Sequence, residues 1–185
     1  MIYVALLRGI NVGGNRKVEM AKLKQTFESL GFTDVKTYIN SGNVIFETPS
    51  KDDKALCGQI EKAIETDFGF NVPVLLRSLK QIEKLLEKLP VKWVNDAAMR
   101  CDVMFLWPDI DNREIVAQIP HNPEIEDVVY YPGTVVWRIN RENVRRGQVI
   151  KIISTDIYKK FTIRNVNTVR KLYALMKFTN QTDII

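Results

Sequence analysis

The chain has 185 residues, of which 45% are hydrophobic and 26% charged, with a formal net charge of +5. These values exclude a disordered, charge-dominated chain and suit an ordered protein at the border between one domain and two small subdomains. The longest apolar runs, Ile2 to Leu7 and Val103 to Trp107, fall far short of the roughly 18 residues that a membrane-spanning helix needs.

Arg8 follows only a few apolar residues, without a basic leader or a small-residue cleavage site, so the N-terminal stretch reads as a strand of the fold rather than a secretion signal. Cys57 and Cys101 are far apart and belong to no metal-ligand spacing, which points to reduced thiols and a cytoplasmic protein. Charge is segregated: Arg138 to Lys177 carries eleven basic residues against Glu142 and Asp156, whereas Cys101 to Tyr130 carries seven acids against Arg113. Such separation steers an anionic partner toward one face.

In chain order, Ile2 to Arg8 reads as a buried strand running into the glycine-bearing stretch from Gly9 to Lys17. Met20, Leu23, Phe27 and Leu30 recur at helical spacing, and Gly31 stands where a C-terminal cap belongs. Thr33 to Ile39 and Asn43 to Glu47 read as strands around a tight turn at Asn40-Ser41-Gly42. Ser50 with Asp53 resembles a capping box for a helix that buries Leu56, Ile60, Ile64 and Phe68, and Asn71 to Arg77 reads as the next strand.

A second capping box, Ser78 with Gln81, opens a helix that Pro90 stops. Beyond it, Arg100 to Trp107 reads as a strand, Asp111 to Ile119 as a helix capped by Asp111, and Asp127 to Ile139 as a hairpin turning at Pro132-Gly133. Between Val144 and Phe161 the helix and strand patterns score alike, and a short helix over Val149 to Lys159 is the reading adopted. Val166, Val169, Leu172, Tyr173 and Met176 then form one helical stripe behind an Asn165 cap.

The order strand, helix, strand, strand, helix, strand appears once and begins again. The expectation is therefore an α+β protein of two ferredoxin-like (βαββαβ-type) subdomains packed into one compact protein: residues 1–77, a helical connector over 78–98, and residues 99–185 with the C-terminal helix.

Three groups of residues could carry function. In the first loop, glycines let backbone amides approach a ligand, the following helix start favours negative charge, and Arg8, Arg16 and Lys17 add cations beside Asn11, Gly13 and Gly14. The glycine spacing fits neither the dinucleotide nor the phosphate-loop pattern, and a solvated connection explains it equally well. Asn40, Ser41 and Asn43 offer amides and a hydroxyl for a sugar, a base edge or the backbone, with turn chemistry as the simpler account. Arg164, Asn165, Asn167, Thr168 and Lys171 combine cations, amides and a helix start.

Catalysis has little to build on. The single histidine, His121, sits in a loop, neither cysteine has an activating neighbour, and Asp111 is assigned to a cap beside Asp109. No metal site or cofactor is expected, and the enzyme question is left open with the balance toward a non-enzyme.

The stretches Leu6-Leu7-Arg8-Gly9-Ile10-Asn11-Val12-Gly13-Gly14, Thr37-Tyr38-Ile39-Asn40-Ser41-Gly42-Asn43-Val44-Ile45-Phe46 and Thr162-x-Arg164-Asn165-x-Asn167-Thr168-x-x-Lys171-Leu172 together resemble the bacterial family catalogued as Domain of Unknown Function 1697. The resemblance runs from the first strand to the last helix and implies two ferredoxin-like subdomains. It implies no activity and supplies no catalytic residue, but its motifs coincide with the three groups above. Val166 departs from the aromatic expected in many relatives, which removes a stacking role there.

Three functions follow as expectations. The first is binding of an anionic ligand, such as RNA, a nucleotide or a phosphorylated metabolite, through the glycine loop and the basic C-terminal third. The second is a protein-interaction or structural module, and the third a metal-independent enzyme on a small polar substrate. Asn43-Val44-Ile45-Phe46 lacks the aromatic pattern of RNA-recognition sheets, which disfavours sequence-specific reading by that route.

Overall fold

The computed structural model describes residues 1–13 and 16–179. It is an α+β protein with two four-stranded antiparallel sheets, ordered β2-β3-β1-β4 and β6-β7-β5-β8. The chain divides into two compact units, Met1–Glu83 with Leu172–Ile185 and Lys84–Lys171. No helix is long and apolar enough to cross a membrane among the described residues.

The first sheet holds β1 (Ile2–Leu7), β2 (Thr33–Tyr38), β3 (Asn43–Glu47) and β4 (Val74–Ser78), with β1 between β3 and β4. Every residue of β1 is buried, as its unbroken apolar run requires for a central strand. Tyr3, Ala5 and Leu7 join a core with Leu23 and Phe27 of α1 (Met20–Ser29) and Leu56, Ile60 and Ile64 of α2 (Asp53–Phe68). Phe32 stacks on Phe46 with centroids 4.4 Å apart, and Phe27 meets the same ring edge-on at 5.4 Å, so the helix and the hairpin share one aromatic cluster.

Helix α1 ends as its sequence indicates: Gly31 takes φ +81° and its N–H donates to the Glu28 carbonyl at 3.0 Å. The cap of α2 is Asp52 rather than Ser50; the Asp52 Oδ1 accepts the Ala55 N–H at 3.0 Å, while the Ser50 hydroxyl accepts the Asp52 N–H at 3.3 Å one step earlier. Two capping residues two positions apart competed for the role, and the one three residues ahead of an N–H in reach took it. The box at α3 (Leu79–Lys88) forms as expected, with Ser78 N donating to Gln81 Oε1 at 2.8 Å and Gln81 N to Ser78 Oγ at 3.3 Å.

The second sheet holds β5 (Met99–Leu106), β6 (Glu126–Tyr131), β7 (Thr134–Asn140) and β8 (Phe161–Asn165). The hairpin turns at Gly133, at φ +81°, as its Pro-Gly sequence implies. Met104, Leu106, Trp137, Ile139 and Phe161 face a second core with Ile115, Ile119, Val149 and Ile152.

Two expectations fail here. The helix over Asp111 to Ile119 shrinks to α4 (Ile115–Gln118) after a 3-10 turn at Pro108–Ile110. Asp111 is not its cap: its Oδ1 accepts the Tyr130 hydroxyl at 2.9 Å and the Gly133 N–H at 2.8 Å, so the carboxylate fastens the hairpin turn. Where a helix over Val149 to Lys159 was expected, the chain forms two 3-10 runs, Val149–Ser154 and Asp156–Lys160, after an earlier one at Arg141–Arg146. Helix α5 (Val166–Thr179) closes the described chain.

Candidate functional site

The loop after β1 is shaped by a series of left-handed residues: Gly9 at φ +73°, Asn11 at +54°, Gly13 at +61° and Arg16 at +51°. Glycine reaches this region freely, and asparagine more easily than most residues. Asn11 locks the loop through its amide. Its Oδ1 accepts the Val18 N–H at 2.8 Å, and its Nδ2 donates to the Val18 carbonyl and the Asn40 carbonyl, both at 3.0 Å. Its own N–H donates to the Arg16 carbonyl at 3.1 Å, which closes the loop on itself.

The β2–β3 turn is brought against this loop. Leu7 N donates to the Gly42 carbonyl at 2.9 Å, and a Cβ on Gly42 would lie 2.7 Å from Ile10 Cδ1 and 2.8 Å from Leu7 Cβ, at φ +77°. Only glycine permits that approach. Asn43 is fully buried, with Nδ2 donating to the Tyr38 carbonyl and to Ser41 Oγ, both at 3.0 Å. The described parts of the first two motifs thus meet, with the Asn11 side chain committed to backbone groups and that of Asn43 to the Tyr38 carbonyl and the Ser41 hydroxyl.

On this scaffold Arg16, Lys17 and Asn40 are exposed and Arg8 is half-buried. Val12 and Ile39 are also left open, at 69% and 48% exposure. Ile39 sits at φ +50°, a costly conformation for a β-branched residue. Gly14 lies outside the described residues.

The third motif belongs to the second unit. Arg164 is only 6% exposed; its Nη1 donates to Thr162 Oγ1 at 2.9 Å and to the Ile163 carbonyl at 2.8 Å. Burial pulls its guanidinium down to about 10 from the usual value of 12.5. Asn165 Oδ1 accepts the Asn167 N–H at 2.7 Å and so caps α5, as expected. Asn167 clamps the chain ahead of β5, with Nδ2 donating to the Asn95 carbonyl at 2.7 Å and Oδ1 accepting the Asn95 N–H at 3.3 Å. Thr168 is half-buried and Lys171 exposed on the same helix.

The same segment is gripped from a second side. Arg141 Nη2 donates to Asn95 Oδ1 at 2.7 Å, and Asp96 Oδ1 accepts the N–H groups of Ala98 and Met99, both at 2.8 Å. Those two backbone bonds hold the Asp96 carboxyl below its ordinary range. A shallow depression of about 380 Å³ opens beside it, lined by Ala97, Ala98, Met99, Asn140, Arg141 and Glu142.

Sequence reading missed the most heavily bonded carboxylate described here. Glu126 is buried at the start of β6; Oε1 accepts Trp137 Nε1 and Val149 N at 3.1 Å, and Oε2 accepts Asn122 N at 2.7 Å and Gln148 N at 2.8 Å. It ties two loops to the sheet. Gly147 was its one trace in sequence, since a Cβ there would come within 2.9 Å of Glu126 Oε1. His121 places Nδ1 2.8 Å from the Ile119 carbonyl, a local backbone contact. Among the described residues no three His, Cys, Asp or Glu side chains are gathered as metal ligands would be.

Comparison with known proteins places this architecture. A conserved bacterial protein from Streptococcus pneumoniae is similar in structure, with a TM-score of 0.82 and 30% sequence identity over 95% of this chain and 98% of that one. No curated protein matches. The model of the family described as "Protein of unknown function (DUF1697)" matches residues 1–137, a span that includes both the glycine loop and the Asn40–Asn43 turn. The chain belongs to the DUF1697 family.

Proposed function

We propose that this protein binds an anionic, phosphate-bearing ligand at the loop after β1. The observation that carries the reading is the Asn11 lock. Three side-chain hydrogen bonds and a closing backbone bond fix the loop that presents Arg16 and Lys17 to solvent. A fixed backbone lowers the ordering cost of binding, and guanidinium and ammonium groups together suit phosphate oxygens. The scaffold is read as a pair of ferredoxin-like halves, a reading supported by the strand order β2-β3-β1-β4 and its recurrence as β6-β7-β5-β8. The free thiols Cys57 and Cys101 support a place in a reducing compartment.

A second reading, a protein-interaction module, draws on the open Val12 and the strained, half-exposed Ile39 beside the same cations. Titration with inorganic pyrophosphate, a nucleoside triphosphate and a short RNA, monitored by amide chemical shifts, separates the two. Shifts centred on Asn11, Gly13, Arg16 and Lys17 support the anion reading. Their absence with all three probes removes it and leaves the interaction module.

A further inference from the structure

The 3-10 run Val149–Ser154 has three residues per turn, so positions three apart lie on one face. Val149 and Ile152 face inward and are buried. Lys151 and Ser154 form an exposed polar face. The third face is Ile150 with Ile153, 52% and 54% exposed. Two aliphatic side chains in register on a solvent face form a short apolar ridge, not scattered surface hydrophobes.

Charge surrounds this ridge unevenly. Arg141 to Lys160 carries six basic residues against Glu142 and Asp156. The preceding elements on the same side of the sheet are predominantly acidic, with Asp109, Asp111, Glu114 and Glu124 exposed against the exposed cation Arg113. The two sets are neighbours: Ile110, Ile115 and Ile119 share one core with Val149, Ile152 and Ile157, and Lys160 pairs with Asp109 across the junction. One surface of the second unit therefore carries a basic half bearing an apolar ridge and, beside it, an acidic half.

That arrangement is self-complementary under a two-fold axis, which lays the basic half of one copy on the acidic half of another. We propose that this face is a homodimer interface, with Ile150 and Ile153 contributing apolar area and Arg146 and Lys151 facing the Glu114 and Glu124 side of the second copy. The ridge has no exposed aromatic of the kind that stacks on unpaired bases or anchors at a lipid interface. The contiguous acidic half favours a second copy over either.

The test is a charge swap on the full chain. Arg146→Glu/Lys151→Glu reverses the charge at the two basic contact positions, and Glu114→Lys/Glu124→Lys reverses it at the two acidic ones. Sedimentation velocity at low salt is expected to show a wild-type dimer and each variant alone weakened about a hundredfold. An equimolar mixture of the two variants should restore the dimer, a result that misfolding cannot produce. Ile150→Asp/Ile153→Asp should also yield monomers, with unchanged far-UV circular dichroism. A monomeric wild type, a dimer indifferent to the swaps, or a face that binds only RNA or anionic vesicles would overturn the proposal.

Discussion

Arg77 and Arg164 occupy matching positions in the two sheets. Arg77 stands opposite Val4 on β1 and Arg164 opposite Val103 on β5. Each donates Nη1 to the carbonyl of the residue before it, at 2.8 Å in both cases, and each is followed by the residue that caps the next helix, Ser78 or Asn165. The correspondence extends one strand further, since Val4 also pairs with Ile45 and Val103 with Val136. An arginine fixed at the end of the fourth strand is thus a repeated structural part.

Replacing Arg164 should cost stability. Arg164→Ala removes the bonds to Thr162 and Ile163 from a buried site, and a loss of about 2–3 kcal/mol is expected in urea denaturation. Arg164→Lys should recover little of it, because one ammonium cannot reproduce the geometry of a planar guanidinium.

Gly42→Ala should destabilise by about 3 kcal/mol, since the new Cβ meets Ile10 and Leu7 at under 3 Å in a left-handed conformation. Gly31→Ala is the control. Its φ is equally positive but nothing lies within 4 Å, so backbone strain alone should cost about 1 kcal/mol. Paired denaturation curves separate steric clash from strain.

Glu126→Ala should cost more than about 3 kcal/mol, because Trp137 Nε1 and the N–H groups of Asn122, Gln148 and Val149 lose their acceptor together. Glu126→Gln keeps one oxygen but turns an NH₂ toward N–H donors, and should fall between wild type and the alanine variant. Trp137 near-UV dichroism reports the loss.

Much of the fold was legible in the sequence where the signal is local. The β1 run, the Pro132-Gly133 turn, the Gly31 terminus, the Ser78–Gln81 box and the Asn165 cap all depend on residues within a few positions of each other. The two misreadings in the second unit share one cause, competition from distant groups, whereas the Ser50 cap lost to its near neighbour Asp52. Asp111 has a helix-capping sequence, but a hairpin some twenty residues later supplies a tyrosine hydroxyl and a glycine N–H that claim its carboxylate. The segment after β7 is bound at Gln148 and Val149 by Glu126, which no periodicity reveals. At the candidate site the cations were legible, whereas the commitment of Asn11, Asn43 and Asn167 to backbone groups required coordinates.

Asp102 gives an unusual pH dependence. Burial raises its carboxyl pKa despite the Arg100 Nε 2.8 Å away. Between the unfolded and the raised folded value the native state holds more protons than the unfolded state, so this group's contribution to stability falls as pH rises through that window. Asp102→Asn should flatten that part of the profile of thermal midpoint against pH.

Burial pushes the Cys57 thiol up to about 11 and the Cys101 thiol to about 12. Both are protonated at neutral pH, so thiol-reactive reagent should label the native protein slowly, with Cys101, fully buried, reacting only on unfolding.

The central claim, phosphate binding at the Asn11-locked loop, is tested most directly by the salt dependence of affinity for a short single-stranded RNA, in wild type and Arg16→Ala/Lys17→Ala. Each phosphate neutralised contributes about 0.7 to the slope of log K against log salt, so the double substitution should reduce the slope by about 1.4 and weaken binding at low salt. An identical slope and affinity in the two proteins would contradict the account.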